Sequence, residues 1–215
     1  KKKLAWNPEL AAEFGLDSDK RDLQSVIDGY RPTVLLGTSG QAGAFTEEVI
    51  TSMAKGCQRP IILPFSNPTA NAEAIPEDII AWTNGTALVA AGSPFEPVQF
   101  AGKTHKIGQG NNVFIFPGLG LGSLLAKATE VTDNMISASA DALSEQVTEE
   151  ELNEDQLYPS VPRLREVSRQ ITIAVIKQAI DDGVARIEIN KDAIEAMVDE
   201  SMWEPDYPTL VPAQK

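Results

Sequence analysis

The stretch Thr33-Val34-Leu35-Leu36, followed at once by Gly37-Thr38-Ser39-Gly40, decides the fold. Its apolar residues are continuous rather than alternating. Both faces of such a run need cover, which is the condition of a strand inside a parallel sheet. The small and polar residues behind it make a turn at which another group can approach the backbone closely. A helix is expected from about Phe45, with Glu47 and Glu48 in the first turn, where the helix dipole favours negative charge. Phe45, Val49, Ile50 and Met53 share one face of that helix.

The same beat recurs twice. Ile61-Ile62-Leu63 ends in Phe65-Ser66-Asn67-Pro68-Thr69 and leads to a short helix with Pro76 at its first position and Glu77 and Asp78 in its first turn. After the turn signal Asn84-Gly85, the run Ala87-Leu88-Val89-Ala90-Ala91 ends in Gly92-Ser93-Pro94. The strand-to-strand spacing of about 27 residues fits right-handed βαβ crossovers. A further helix is expected over Asp22 to Tyr30, ahead of the first strand. Beyond residue 111 the pattern turns helical. Helices are expected over Asp133 to Val147, over Val161 to Asp182 with Leu164, Val167, Ile171 and Val175 on one stripe, and over Asn190 to Met202, before a Pro-rich tail. The fold class is therefore α/β: a partial doubly wound, Rossmann-like parallel sheet followed by a helical C-terminal region.

Composition narrows the function. The 215 residues carry a formal charge of −13, which argues against a nucleic-acid partner, because a phosphate backbone demands clustered Lys and Arg. No apolar run approaches the roughly 20 residues of a membrane span. Lys1-Lys2-Lys3-Leu4 lacks the apolar core of a signal peptide. The single cysteine, Cys57, excludes an internal disulfide and fits a reducing compartment, so a cytoplasmic location is expected.

In open parallel sheets ligands sit beyond the carboxyl ends of the strands. All three apolar runs end there in small or polar residues, which serve either as ordinary strand-to-helix turns or as a ligand edge. Ser66 and Asn67 can donate and accept hydrogen bonds to an amide or a carboxylate. Gly110-Asn111-Asn112 is a fourth candidate, with capping or a left-handed turn as its alternative role. Gly118-Leu119-Gly120-Leu121-Gly122 is not a phosphate loop, since the dinucleotide fingerprint places its third Gly three residues after the second and Ser123 stands there. A stripe of small residues between closely packed helices is expected instead. His105, the sole histidine, is expected to be exposed or capping. The acids Glu149, Glu150, Glu151, Glu154 and Asp155 are expected to form a solvated connector over 148–156. Cys57, with no adjacent base, is expected to be inert.

Taken together, several segments resemble malic enzyme. They are Gly37-Thr38-Ser39-Gly40-Gln41-Ala42-Gly43-Ala44-Phe45-Thr46-Glu47-Glu48, Ser66-Asn67-Pro68-Thr69, Gly92-Ser93-Pro94-Phe95, and Gly108-Gln109-Gly110-Asn111-Asn112 through Phe116-Pro117-Gly118. Leu157-Tyr158-Pro159 and Arg165-Glu166-Val167-Ser168 match as well, and the tail around Trp203 and Tyr207 is similar to bacterial NAD-type members. The resemblance implies oxidative decarboxylation of (S)-malate to pyruvate and carbon dioxide, with reduction of NAD, or alternatively NADP, and a divalent Mg or Mn. It implies substrate contacts at Asn67, Asn111 and Asn112, and cofactor contacts at Thr38, Ser39, Gly40, Ser66 and Asn67. It implies a homo-oligomer, dimer or tetramer.

The resemblance also implies what is missing. The family's general-base Lys, general-acid Tyr, metal-binding acids and Gly-rich phosphate loop fall upstream of Lys1. No catalytic and no metal-binding residue is therefore expected in this chain, and the metal is expected on the N-terminal half that would partner it. Residues 1–111 then form the second half of a dinucleotide-binding domain, 112–188 helices returning to a catalytic domain, and 189–215 a C-terminal helix and tail. The alternatives are a non-catalytic dinucleotide-binding or assembly module, or half of another 2-hydroxy-acid or amino-acid dehydrogenase.

Overall fold

The three apolar runs are strands, and they run parallel. In the computed structural model, which describes residues 6–16 and 21–204, β1 (Val34–Gly37), β2 (Ile61–Pro64) and β3 (Leu88–Ala91) lie side by side, with Val34 opposite Ile61 and Ile61 opposite Leu88. Tyr207 and the Pro-rich tail lie outside the described residues. Among those described, no helix is long and apolar enough to cross a membrane.

The chain divides into two compact units: residues 1–112 with 144–163, and residues 113–143 with 164–215. In the first unit, α1 (Pro8–Glu13) and α2 (Leu23–Tyr30) precede β1, α3 (Glu47–Gly56) joins β1 to β2, and α4 (Pro76–Trp82) joins β2 to β3. Local chemistry sets each helix start. The Asp22 carboxylate accepts from Ser25 N at 3.0 Å, Thr46 Oγ1 caps α3 by accepting from Val49 N, and Pro76 opens α4. The inner faces of α3 and α4 bury Val49, Ile50, Met53, Ile79 and Ile80 with Ile62 and Val89 of the sheet.

Two features left no apolar run to read. β4 (Val98–Phe100) and β5 (Lys103–His105) form an antiparallel hairpin, turned by Ala101 and Gly102 with φ of 48° and 82°. β6 (Gly108–Gln109) then joins the sheet beside β3, giving the parallel order β1-β2-β3-β6. β1 lies at the other edge, and its Val34 and Leu36 are 48% and 56% exposed, unusual for a parallel strand.

The second unit holds α5 (Phe116–Leu125) and all but the last residue of α6 (Asp133–Ser144); α7 (Glu149–Asn153) belongs to the first unit, and α8 (Leu164–Asp181) and α9 (Ile194–Ser201) to the second. The glycines of α5 are the expected packing stripe. A Cβ at Gly118 would lie 2.7 Å from Ile171 Cβ, and one at Gly122 would lie 2.7 Å from Val175 Cβ. At Gly120, between them, a Cβ would meet nothing. The two helices touch backbone to side chain because both contact positions lack a side chain of their own.

The acidic stretch 148–156 is only in part the solvated connector its composition suggests: Glu149 and Glu150 are exposed and Glu154 half-buried. Glu151 and Asp155 are buried, because each carboxylate is fully paired. Glu151 closes a capping box with Thr148, accepts from Ser160 N and Oγ at 2.8 and 2.7 Å, and meets Arg163 Nη1 at 3.1 Å. Asp155 receives Arg59 at 2.7 Å and Lys103 at 2.5 Å. His105 is likewise neither exposed nor capping. It is 2% exposed, and its Nδ1 lies 3.0 Å from Asp155 Oδ2, off the line of a good hydrogen bond.

Two outcomes follow from this packing. Gly122→Ala should lower stability by about 1–3 kcal/mol through overpacking against Val175, while Gly120→Ala should raise it by up to about 1 kcal/mol through helix propensity; urea melts of both variants check the contrast. Asp155 gives the second. Burial raises its pKa, but hydrogen bonds from Lys103 and Arg59 outweigh burial and leave it below its ordinary value. A depressed folded pKa contributes stability above the unfolded value of about 3.9 and loses it as the pH falls through the folded value. Asp155→Asn should therefore be less stable at pH 7, by about 1–3 kcal/mol, with a shallower loss of stability below about pH 4, as measured by denaturation across that range.

Candidate functional site

The carboxyl ends of β1, β2 and β3 carry the loops that the sequence marks as a ligand edge, and one buried side chain ties two of them together. Glu73 lies just past the Thr69–Asn71 turn and is fully buried. Its Oε1 accepts from Ser39 N at 2.7 Å, from Ser39 Oγ at 2.8 Å and from Ser66 Oγ; its Oε2 accepts from Ser66 N at 3.2 Å. Its carbonyl accepts from Phe45 N at 3.0 Å, which joins the approach to α3 to the same hub. Burial pushes the Glu73 carboxyl up, but the Ser66 hydroxyl and the Ser39 N–H and hydroxyl together bring it below the ordinary value. The group is therefore an anion at neutral pH.

The consequence for ligand chemistry is direct. Successive backbone N–H groups in a turn form a nest that suits a phosphate. Here those donors are taken. Ser39 N and Ser66 N point at Glu73, Gly40 N donates to Ser66 Oγ at 2.8 Å, and Gln41 N donates to Ser39 Oγ at 3.1 Å. The loop after β1 already holds an internal anion, so it fits an amide, a hydroxyl or a ring better than a phosphate.

Asn67 stands at the next position along the edge. Its side chain is exposed, its Oδ1 accepts from Ser93 Oγ at 2.7 Å, and its Nδ2 lies 3.4 Å from the carbonyl of Phe65. The peptide bond from Asn67 to Pro68 is cis. Gly92 lets these groups meet: a Cβ there would come within 2.2 Å of Phe65 O and 2.9 Å of Asn67 Nδ2. Gly110 does the same for the Phe65 ring, which a Cβ would meet at 2.4 Å. Tyr158 packs edge-on to Phe65 with ring centroids 6.1 Å apart, and burial raises its phenol pKa.

Of the residues read from sequence, Ser39, Gly40 and Ser66 are brought together around Glu73, and Thr38 is exposed on the same loop. Asn67 sits beside Ser93. Asn111 and Asn112 are exposed just past β6; Gly110 N donates to Ala91 O at 2.9 Å and sets their position relative to the sheet. Sequence reasoning missed Glu73 and the pairing role of Ser93. The one hint of Glu73 was a lone acid in an otherwise apolar and small stretch, Ala72-Glu73-Ala74, one turn after the Ser66-Asn67-Pro68-Thr69 loop. Among the described residues, no group of three or more His, Cys, Asp or Glu side chains is placed to hold a metal ion.

A parallel sheet whose strand ends present amides, hydroxyls and close-approach glycines in this order is a dinucleotide-type α/β domain. Residues 3–180 match the family described as malic enzyme, NAD binding domain, and the chain belongs to that family. It is 43% identical over 206 residues to the NAD-dependent malic enzyme of Acinetobacter baylyi, covering 96% of this chain and 36% of that protein. It is 44% identical over 205 residues to the NAD-dependent malic enzyme of Sodalis glossinidius, covering 95% of this chain and again 36% of the relative. The chain thus spans little more than a third of the length of these curated relatives. Among solved structures, the malic enzyme of Entamoeba histolytica superposes with a TM-score of 0.66 at 25% identity, covering 86% of this chain and 35% of that one. That of Pyrococcus horikoshii gives 0.63 at 26% identity, covering 83% and 36%.

Proposed function

We propose that this chain is the NAD-binding portion of a longer enzyme that oxidatively decarboxylates (S)-malate to pyruvate and carbon dioxide. The observation that carries the reading is the ligand edge itself, with its amide and its filled nest, in a chain of this family. NAD, or NADP in its place, would accept hydride from C2 of the substrate. Asn67 would hold the substrate carboxylate and the carboxamide end of the cofactor, because its amide offers a donor and an acceptor side by side. Ser93 orients that amide by donating to its oxygen, and one amide N–H points at Phe65 O, so the second N–H and the oxygen's other lone pair are the groups offered to a ligand. Thr38, Ser39, Gly40 and Ser66 would border the cofactor, and Asn111 and Asn112 the substrate. A divalent Mg or Mn would be held by residues outside this chain, as would the general base.

The exposed edge of β1 supports the same reading. β1 has one backbone edge unpaired among the described residues and Val34 and Leu36 lie exposed on one of its faces, so we infer that further strands pair with that edge and another segment of the longer enzyme covers that face. Residues 112–188 would supply helices that return to a catalytic domain, and the full protein would assemble as a homo-oligomer.

Two outcomes test this. Purified alone, the 215 residues should show no malate-dependent NADH formation, because proton removal from the C2 hydroxyl needs a positioned base and loss of carbon dioxide needs a metal to hold the enolate charge. Joined to the remaining portion found in its relatives, the chain should reduce NAD with malate; a joined protein that folds and shows no such reaction overturns the reading. In that joined protein, Asn67→Ala should lower malate turnover or affinity by a factor on the order of 10–100, with little change in melting temperature. A variant that melts much earlier with unchanged kinetics per folded molecule would make Asn67 a turn residue only.

A further inference from the structure

We propose that Glu73 is a positioning residue: its buried carboxylate fills the N–H nest of the ligand edge, closes that nest to anions, and sets the loop Thr38–Gly40 for the uncharged or cationic end of a dinucleotide. This rests on the reading that the edge takes NAD. Three observations carry it. Four donors from two loops, separated by a whole strand and helix in sequence, converge on the one carboxylate. The carboxylate also gives the Ser66 hydroxyl a direction. That hydroxyl donates to Glu73 and so turns a lone pair toward Gly40 N–H, which it holds at 2.8 Å. Finally, the backbone is cut to admit the group: a Cβ at Gly37 would come within 2.5 Å of Glu73 Cδ and 2.8 Å of its Oε2.

A role confined to fold stability explains this poorly. An ionised carboxylate loses its hydration on burial, and apolar residues of similar volume commonly serve a core as well or better. Its chain neighbours Ala72 and Ala74 are buried and apolar. What the charge alone supplies is the orientation of N–H and O–H groups, and a repulsion toward any second anion at the same edge. A loop held in this way presents Thr38 and the outer faces of Ser39 and Gly40 without an unpaired N–H donor at Ser39, Gly40 or Gln41. The pyrophosphate of a dinucleotide is thereby directed away from this loop, and the nicotinamide end, which becomes cationic on oxidation, meets a site of negative potential.

The test uses the joined, full-length protein with Glu73→Gln and Glu73→Ala, and it reads binding as well as turnover. Glu73→Gln keeps the size and removes the charge, leaving an amide N–H facing the Ser66 N–H. NADH binding followed by its fluorescence should weaken by about tenfold per folded molecule through the loosened loop, and oxidised NAD, whose ring is cationic, should weaken by more, with the malate KM moving less than the NAD KM. Glu73→Ala opens the nest. Millimolar inorganic phosphate should then inhibit competitively against NAD, and formate should restore part of the NADH affinity, while neither affects the parent protein. Variants that melt earlier yet bind NADH like the parent, with no response to phosphate or formate, would make Glu73 a brace of the fold and overturn the proposal. If Glu73→Ala does not fold, NADH binding by Glu73→Gln decides alone. A parent that binds NADH but does not oxidise malate would instead overturn the malate reading and leave the titration of Glu73 variants valid.

Discussion

Four hydrogen bonds end on the two oxygens of Glu73, and the shape of the ligand edge depends on them. The loop after β1 and the loop after β2 are 26 residues apart at Gly40 and Ser66, yet Ser66 Oγ joins them through one hydroxyl that accepts from Gly40 N and donates to Glu73. Such a chain of donors polarises each member and stiffens the whole, because every bond fixes the direction of the next. The desolvation of the carboxylate is offset only while all four donors are in place. The edge is therefore held as a unit, and its parts are not interchangeable.

The same rule governs Asp155 and Glu151, which are also buried in the first unit. Asp155 brings the 144–163 segment to the sheet by pairing with Arg59 and Lys103, while Glu151 closes the segment on itself through Thr148, Ser160 and Arg163. Asp155 adopts φ of 63°, a left-handed conformation that Asp tolerates better than most residues. Its partners Arg59 and Lys103 are about half exposed, so solvent screens them and the pair contributes less than a wholly buried one. In the second unit the joining device is steric instead, with α5 and α8 brought together at Gly118 and Gly122. Thr172 strengthens that seam by donating to Gly118 O at 3.3 Å while also bonding Ser168 O at 2.7 Å within its own helix.

What could be read from sequence was what short-range physics writes there. β2 and β3 were legible because a strand covered on both faces must be apolar throughout, β1 from the same kind of run although Val34 and Leu36 are exposed here, and α3 because Glu47 and Glu48 mark a first turn ahead of a shared apolar face. β6 was not legible, since two residues, Gly108 and Gln109, carry no periodicity and pair only because the hairpin delivers them beside β3. The burial of Asp155 and His105 was hidden for a related reason. Asp155 lies 96 residues from Arg59 and 52 from Lys103, and nothing local distinguishes an acid with such partners from an acid in water. Glu73 was missed likewise, its partner Ser39 being 34 residues away.

The glycines at the strand ends serve a contact that the sequence alone does not show. Small residues at the strand ends suggest room for a ligand, since they leave the backbone approachable. At Gly37, Gly92 and Gly110 the group that approaches is the protein's own: the Glu73 carboxylate, the Phe65 carbonyl with the Asn67 amide, and the Phe65 ring. None of the three has a positive φ, so conformational freedom is not what these positions require. Each glycine instead removes a Cβ from a contact that orients a polar group or supports one from behind. A strand edge built this way is pre-organised, because the donors and acceptors along it are already directed. Adding a methyl group at any of the three would displace a neighbour by ångströms, and at Gly92 that neighbour is backbone, which has nowhere to turn.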